Sequence, residues 1–68
     1  MSPTPRQIGK RLKALREAAG LSQATVATAA KISREYLARL EAGQHDPTVG
    51  TLQRLAKALH VPLLRLLD

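Results

Sequence analysis

The sequence contains no cysteine, which excludes disulfide bonds and thiolate metal sites as a means of stabilising the fold. Its two histidines, His45 and His60, are isolated and do not suggest a metal site either. Tyr36 is the single aromatic residue, so the core must be built from Leu, Ile, Val and Ala. A chain of 68 residues makes one domain near the lower size limit for independent folding. The composition therefore favours helices packed around one aliphatic core.

Acidic residues are also scarce, because 5 Asp and Glu stand against 11 Lys and Arg and leave a net charge of +6. The imbalance is greatest in residues 1–16, where every charged side chain is basic. Excess positive charge on a small domain indicates an anionic partner. No apolar run approaches the roughly 18 residues of a membrane span, and the N-terminus lacks the apolar core of a signal peptide. We therefore expect a cytoplasmic protein without a membrane partner.

Helical spacing of apolar residues, together with capping residues, predicts an all-α chain. Thr4 as N-cap, Pro5 at the first helical position and Gln7 as the partner in a capping box begin a helix over residues 5–19. Apolar residues at helical spacing, each series preceded by a capping residue, predict helices over residues 23–30, 34–42 and 49–59. A last short turn of helix is predicted from Pro62. No alternating strand pattern appears. We expect one domain over residues 1–68, with residues 1–4 flexible.

The apolar stripes also predict the core and leave two positions open. The expected core residues are Ile8, Leu12, Leu15, Ala19, Val26, Ala27, Ala30, Leu37, Leu40, Leu52, Leu55, Ala56, Leu59, Leu63, Leu66 and Leu67. Gly9 lies inside the first helix at a cost of about 1 kcal/mol relative to Ala, and either permits a close contact or is simply tolerated. Leu64 points away from the core stripe and either forms a symmetric dimer contact or is merely exposed.

The second and third predicted helices are joined by the tight turn "KIS", and the first of this pair is lined with alanine. Two short helices so joined form a helix-turn-helix signature, and the positive charge adds a DNA-binding hypothesis. The segments "LSQATVATAAKISREYLARLEAG", "PTVGTLQRLAKAL" and "VPLLRLL" resemble the Cro/lambda-repressor (Xre-type) helix-turn-helix family over residues 6–67. This resemblance implies a compact bundle of five helices and sequence-specific binding of double-stranded DNA in transcriptional control. It also implies a homodimer on a palindromic operator.

The chain departs from the family pattern at three positions. Thr25 stands where a Glu often completes a capping box, and Ala42 stands where some phage repressors have a phosphate-binding Asn. Lys31 occupies the turn position at which many members have Gly. A left-handed conformation there would cost a lysine roughly 1 kcal/mol, which a phosphate contact could offset.

Glu41 is a carboxylate on the apolar side of the third predicted helix. At about 100° per residue it lies about 40° from Leu37, and on the first helix Arg16 lies about 40° from Leu12. Both therefore point toward the edge of the core, where a charge needs a partner. We predict an ion pair between Arg16 and Glu41 that bridges the two helices, and the family resemblance implies the same pair. The alternative is that both side chains reach water separately.

The outward side of the third helix combines small residues with charged ones, which suits the DNA major groove. We predict that base edges are contacted by Ser33, Arg34, Glu35 and Arg39. The two arginines can each bond guanine O6 and N7 together. Glu35 can accept from a cytosine amine, or it can pair with Arg39 four residues on, and the two interpretations are compatible.

A second set of residues is predicted to contact phosphates. Gln23 opens the second helix, where free N–H groups suit an anion, and the resemblance implies that it holds a phosphate; the alternative is a solvated first-turn glutamine. Tyr36 either bonds a phosphate through its hydroxyl or covers the core edge. Further candidates, which could equally be ordinary solvated side chains, are Lys10, Lys13, Lys31, Gln44 and His45. Such contacts fix register but carry no sequence information.

The leading functional interpretation is a homodimeric DNA-binding regulator that acts as a repressor or autoregulator of a phage, plasmid or restriction system. The alternative is a protein-interaction module of the same fold, such as an antitoxin with a co-expressed partner. RNA binding is less favoured because the sequence lacks stacking aromatics. We expect neither an enzyme nor a cofactor, since no acid–base pair, nucleophile–base set or metal cluster is evident.

Overall fold

The computed structural model describes residues 2–68 and contains five helices in the order expected from the sequence. They are α1 (Pro5–Ala18), α2 (Gln23–Ala30), α3 (Arg34–Glu41), α4 (Val49–Ala58) and α5 (Leu64–Leu67). No strand occurs in residues 2–68, so the predicted all-α class is confirmed. Three helices end one residue before the predicted boundary, because Ala19, Ala42 and Leu59 serve as their C-caps.

Polar caps explain where the four longer helices begin. The Thr4 hydroxyl accepts from the Gln7 N–H at 3.2 Å and the Gln7 side chain accepts from the Thr4 N–H at 2.8 Å, which completes the predicted capping box. An N-cap hydroxyl likewise accepts from the N–H three residues on in the pairs Ser22–Thr25, Ser33–Tyr36 and Thr48–Thr51. Met1 lies outside the described residues, and the flexibility of residues 1–4 stays a prediction.

The core lies where α1 packs on α3 and α2 packs on α4, with α5 closing against α1. The buried apolar residues are Ile8, Leu12, Val26, Ala27, Ala30, Leu37, Leu40, Leu52, Leu55, Ala56, Leu59 and Leu66. Leu15, Leu63 and Leu67 are half-buried at its edge. The prediction for Ala19 is wrong, because α1 has ended and the chain turns through Gly20 at φ +70°, which leaves Ala19 exposed.

The turn between α2 and α3 depends on a left-handed lysine. Lys31 has φ 61° and ψ 41° and caps the C-terminal end of α2, with its N–H bonded to Thr28 O at 3.2 Å. The Ile32 N–H then bonds to Ala27 O at 3.0 Å. This hydrogen-bonded reversal ends α2 and begins α3 within three residues, at a cost of roughly 1 kcal/mol for a side chain where glycine would be free.

Gly9 provides the close approach between α1 and α3. It is buried, and a Cβ atom built there would collide with Leu40 O and lie 2.8 Å from Glu41 O. Both obstacles are backbone atoms of α3, so they could not move aside as a flexible side chain does. Of the two interpretations left open by the sequence, the structure supports the close contact.

An ion pair joins the same two helices beside Gly9. Arg16 Nε donates to Glu41 Oε2 at 2.7 Å and Arg16 Nη2 donates to Glu41 Oε1 at 3.0 Å, while Nη1 donates to Leu21 O at 2.9 Å. The side chains are 12% and 4% exposed. The hydrogen bond to Glu41 raises the pKa of Arg16 and outweighs the opposing effect of burial, so the guanidinium stays charged. Arg16 therefore connects α1, the loop before α2 and the end of α3.

We expect Gly9→Ala to lower the free energy of unfolding by about 1–3 kcal/mol, because α1 and α3 must separate to admit the methyl group. Gly50→Ala is the matched control, since the nearest atom to a Cβ there is a side-chain oxygen at 3.9 Å. The control should be neutral or up to about 1 kcal/mol more stable. Urea unfolding followed by circular dichroism measures both, and equal stability of the two variants would contradict the close approach.

We expect Arg16→Ala to lower the free energy of unfolding by about 3–5 kcal/mol, because it leaves the buried Glu41 carboxylate without its cation. Lys13→Ala, at an exposed position on the same helix, should change it by no more than about 0.5 kcal/mol. Thermal and urea unfolding give both values. A loss below about 0.5 kcal/mol for Arg16→Ala would mean that the ion pair contributes no more than an ordinary surface residue.

Candidate nucleic-acid interface

Helix α3 has a structural side and a free side. Leu37, Leu40 and Glu41 are buried against the rest of the bundle. The opposite side is exposed and carries Arg34, Glu35, Arg39 and Ala42, with Ala38 half-buried between them. Ser33 precedes this surface as an exposed N-cap. The structure thus places Arg34, Glu35 and Arg39 on the outward side of one helix, with Ser33 at its N-cap, Glu35 in its first turn and Arg39 in its last turn.

The charged side chains of this surface are not engaged with one another. Among residues 2–68 the one close ion pair is that between Arg16 and Glu41, so Glu35 and Arg39 do not pair across the helical turn. Glu35 lies in the first turn of α3, where a carboxylate is favoured by the helix dipole. Both arginines and the carboxylate therefore remain available to donate to or accept from a ligand in front of α3.

Gln23 is held at the start of α2 by a contact that the sequence did not indicate. Its Nε2 donates to Glu41 Oε1 at 3.0 Å, and the residue is half-buried. The amide has a second N–H, and the main chain of α2 begins here with N–H groups that have no helical acceptor. The first turn of α2 and the end of α3 are thus joined through one carboxylate.

The other phosphate candidates lie around this pair of helices. Lys10 and Lys13 on α1, Lys31 in the turn and Gln44 after α3 are exposed. The Tyr36 ring is half-buried and lies 5.7 Å, centroid to centroid, from the exposed His45 ring. This aromatic contact places the loop after α3 against α3 itself.

The loop after α3 is also fixed by a glycine. Gly43 has φ +77°, and a Cβ there would lie 2.7 Å from Arg6 Cγ and 2.9 Å from Arg6 Cα. A side chain would therefore be strained by the backbone conformation and blocked by α1. Gly43 therefore lets the chain leave α3 close to α1.

Arg54 is a structural residue that sequence reasoning missed. From α4 its Nε donates to Ala30 O at 2.9 Å, and its Nη2 approaches Thr51 Oγ1 at 3.4 Å. It thereby satisfies a carbonyl at the C-terminal end of α2, where a cation also complements the helix dipole. The sequence shows only that α4 carries an arginine. The partner of this arginine is a backbone carbonyl, which any type of residue could supply, so the sequence does not identify it.

In residues 2–68 no three His, Cys, Asp or Glu side chains are grouped as metal ligands. None of the helices in that range is long and apolar enough to cross a membrane. Leu64 is 65% exposed and Val49 is 64% exposed, and the sequence had indicated only the former as an outward apolar residue.

Comparison with known proteins agrees with this geometry. The helix-turn-helix family model matches residues 12–66. The immunity repressor of Bacillus phage phi105 is 39% identical over 54 residues, which are 79% of this chain and 38% of the repressor. An uncharacterised HTH-type transcriptional regulator of Sinorhizobium fredii is 43% identical over 54 residues, 79% of this chain and 70% of that protein. The chain thus spans less than half of the first relative and about two thirds of the second.

A solved structure shows the same architecture. The restriction-modification controller protein C.AhdI from Aeromonas hydrophila has a TM-score of 0.89 and 35% identity, covering 91% of this chain and 94% of that one. Its similarity extends across the whole bundle, so the agreement is not confined to the two central helices. The chain belongs to the Xre/Cro-type helix-turn-helix family of DNA-binding transcriptional regulators.

Proposed function

We propose that this protein is a homodimeric transcriptional repressor or autoregulator that reads a palindromic operator by placing α3 in the DNA major groove. The observation that carries the proposal is the exposed side of α3, where Arg34 and Arg39 project opposite the buried Leu37 and Leu40. A helix supported on one side by a core and carrying free arginines on the other is suited to insertion between base-pair edges.

The roles within the interface follow from side-chain chemistry. Arg34 and Arg39 donate to guanine O6 and N7, Glu35 accepts from a cytosine amine, and Ser33 offers its hydroxyl at the tip of the helix. The absence of an Arg39–Glu35 ion pair in the described chain keeps these groups available. Ala38 and Ala42 add little bulk, which lets α3 approach the base edges closely.

Phosphate contacts frame this helix on both sides. Gln23 and the free N–H groups of α2 bind one backbone phosphate, as a helix N-terminus does with an anion. Further donors strengthen the complex without selecting a sequence, and they are the exposed Lys10, Lys13, Lys31 and Gln44 and the half-buried Tyr36. The net charge of +6 brings the protein to DNA through long-range attraction.

Two observations support a dimer and a regulatory role. Leu64 is 65% exposed on α5, whereas Leu66 two residues later is fully buried, so α5 offers one apolar side chain to a second copy. A phage immunity repressor and a restriction-modification controller are among the similar proteins, and both are named for control functions. We place the activity in the cytoplasm of a bacterium, where dimerisation and operator occupancy would make regulation depend on protein concentration.

Selection of bound duplexes from a random DNA pool should return a palindrome whose half-site centres are about 10–10.5 base pairs apart or a multiple of this spacing. The spacing follows from a two-fold dimer that presents two α3 helices to one side of the DNA. Repeating the binding across salt should give a slope of about −0.9 in log affinity against log salt for each phosphate neutralised. A pool in which no sequence is enriched would reject the regulator proposal.

Arg34→Ala or Arg39→Ala should each cost roughly 1–3 kcal/mol on the selected duplex and relax base preference at one position of each half-site. The measurement is binding to a panel of duplexes with single base-pair changes. Lys57→Ala is the charge-matched control on α4 and should leave the base preferences unaltered, because it removes the same charge away from α3. An equal loss on every duplex would instead make that arginine a phosphate contact.

A further inference from the structure

Glu41 makes more hydrogen bonds than its ion pair requires. Its Oε2 accepts from Arg16 Nε at 2.7 Å, and its Oε1 accepts from both Arg16 Nη2 and Gln23 Nε2 at 3.0 Å. Arg16 alone already supplies two bonds and the opposite charge. The bond to Gln23 is therefore an additional contact, made on the side of the carboxylate that faces the start of α2.

Gln23 lies at the start of α2, where several backbone N–H groups are close together. It is the first residue of α2, and the Thr25 and Val26 N–H groups are already bonded to Ser22 at 3.1 Å and 3.2 Å. The N–H groups of Gln23 and Ala24 precede them and have no acceptor within residues 2–68. Because Glu41 uses one of the two N–H bonds of the Gln23 amide, the other remains to be donated alongside these main-chain groups.

We propose that Glu41 is a positioning residue for DNA binding: it orients the Gln23 amide so that its remaining N–H and the free N–H groups of α2 meet one backbone phosphate. This inference rests on the proposed function, since it assigns the residue that prepares its phosphate contact. Glu41 is buried, with its side chain 4% exposed, and does not itself reach the DNA. It acts through Gln23, as Arg16 in turn acts through Glu41.

Holding the Gln23 side chain in place before DNA binds should strengthen the affinity for DNA by a modest factor. Glutamine has a flexible side chain, and immobilising such a side chain on binding weakens affinity by about 2- to 12-fold. A side chain that is already held in the free protein avoids most of this loss. The tether is strong because a carboxylate accepts a charge-assisted hydrogen bond, about twice as strong as a neutral one. A neutral amide at position 41 would hold Gln23 less firmly.

The test is a double-mutant cycle on affinity for the selected duplex, with the wild-type chain, Gln23→Ala, Glu41→Gln and the double variant. If Glu41 positions Gln23, Glu41→Gln weakens binding about 2- to 12-fold in the wild-type background and has no further effect in the Gln23→Ala background. A residue with a structural role alone would lower affinity by the same factor in both backgrounds. That additive result would overturn the inference while leaving the proposed function intact.

A measurement on the wild-type chain covers the case in which Glu41→Gln does not fold. Nuclear magnetic resonance relaxation of the side-chain amides reports their rigidity in the free protein, and the exposed Gln53 on α4 is the internal control. We expect a clearly higher order parameter for the Gln23 side-chain amide than for that of Gln53, because Glu41 holds the former. A Gln23 amide as mobile as that of Gln53 would overturn the inference.

The Gln23 resonance also separates the two proposals. Adding the selected duplex should shift the Gln23 amide signals while their order parameter stays nearly constant, since the side chain is already fixed. A rigid amide that does not respond to bound DNA would overturn the positioning role but not DNA binding. A wild-type chain that binds no duplex at all would overturn the proposed function and this inference together.

Discussion

The structure depends on one buried carboxylate. Glu41 lies at the end of α3 with its side chain 4% exposed, and a charge so placed is tolerated only with a cation and satisfied hydrogen bonds. Arg16 supplies both from α1 and also bonds Leu21 O before α2. Because the guanidinium is planar and bonds in two directions, it fixes the orientation of α3 as well as its distance from α1. Gly9 then allows the two backbones to come together beside this pair.

Helix α2 shows why such polar connections matter in a domain of this size. It has 8 residues, too few to be stable alone, and its buried residues are the small Val26, Ala27 and Ala30. At the start of α2, Gln23 donates to Glu41, which in turn accepts from Arg16 of α1. At the end of α2, Arg54 of α4 donates to Ala30 O. A short helix with a narrow apolar face can thus be placed accurately against α3. Accurate placement of α2 sets the direction in which α3 presents its exposed side.

Much of this arrangement could be predicted because it has local causes. Hydroxyl caps and apolar spacing predict the four longer helices to within one residue at each end, whereas α5, which has no side-chain cap, begins two residues after the predicted Pro62. The angle between Glu41 and Leu37 indicates a carboxylate at the core edge. Contacts with a backbone partner could not be predicted in this way. Arg54 bonds to a backbone carbonyl, and because every residue has one, the sequence does not indicate which it will be. Gly9 lies against backbone carbonyls of α3, and their position depends on how α1 and α3 cross. Ala19 was assigned wrongly because periodicity continues past the residue at which hydrogen bonding stops.

The division of α3 into two sides has a consequence for how its specificity can change. The residues that hold the helix are Leu37, Leu40 and Glu41, and none of them is free to contact DNA. Of the residues assigned to base edges, Arg34, Glu35 and Arg39 make no ion pair with the rest of the described chain, so their replacement leaves the core and the Arg16–Glu41 pair untouched, whereas Ser33 also caps α3. Surface substitutions of this kind usually alter stability by no more than about 0.5 kcal/mol. Under the proposed function, a small domain with little stability to lose can therefore acquire a different operator by changing Arg34, Glu35 or Arg39, whereas Arg16→Ala would leave the buried Glu41 carboxylate without its cation.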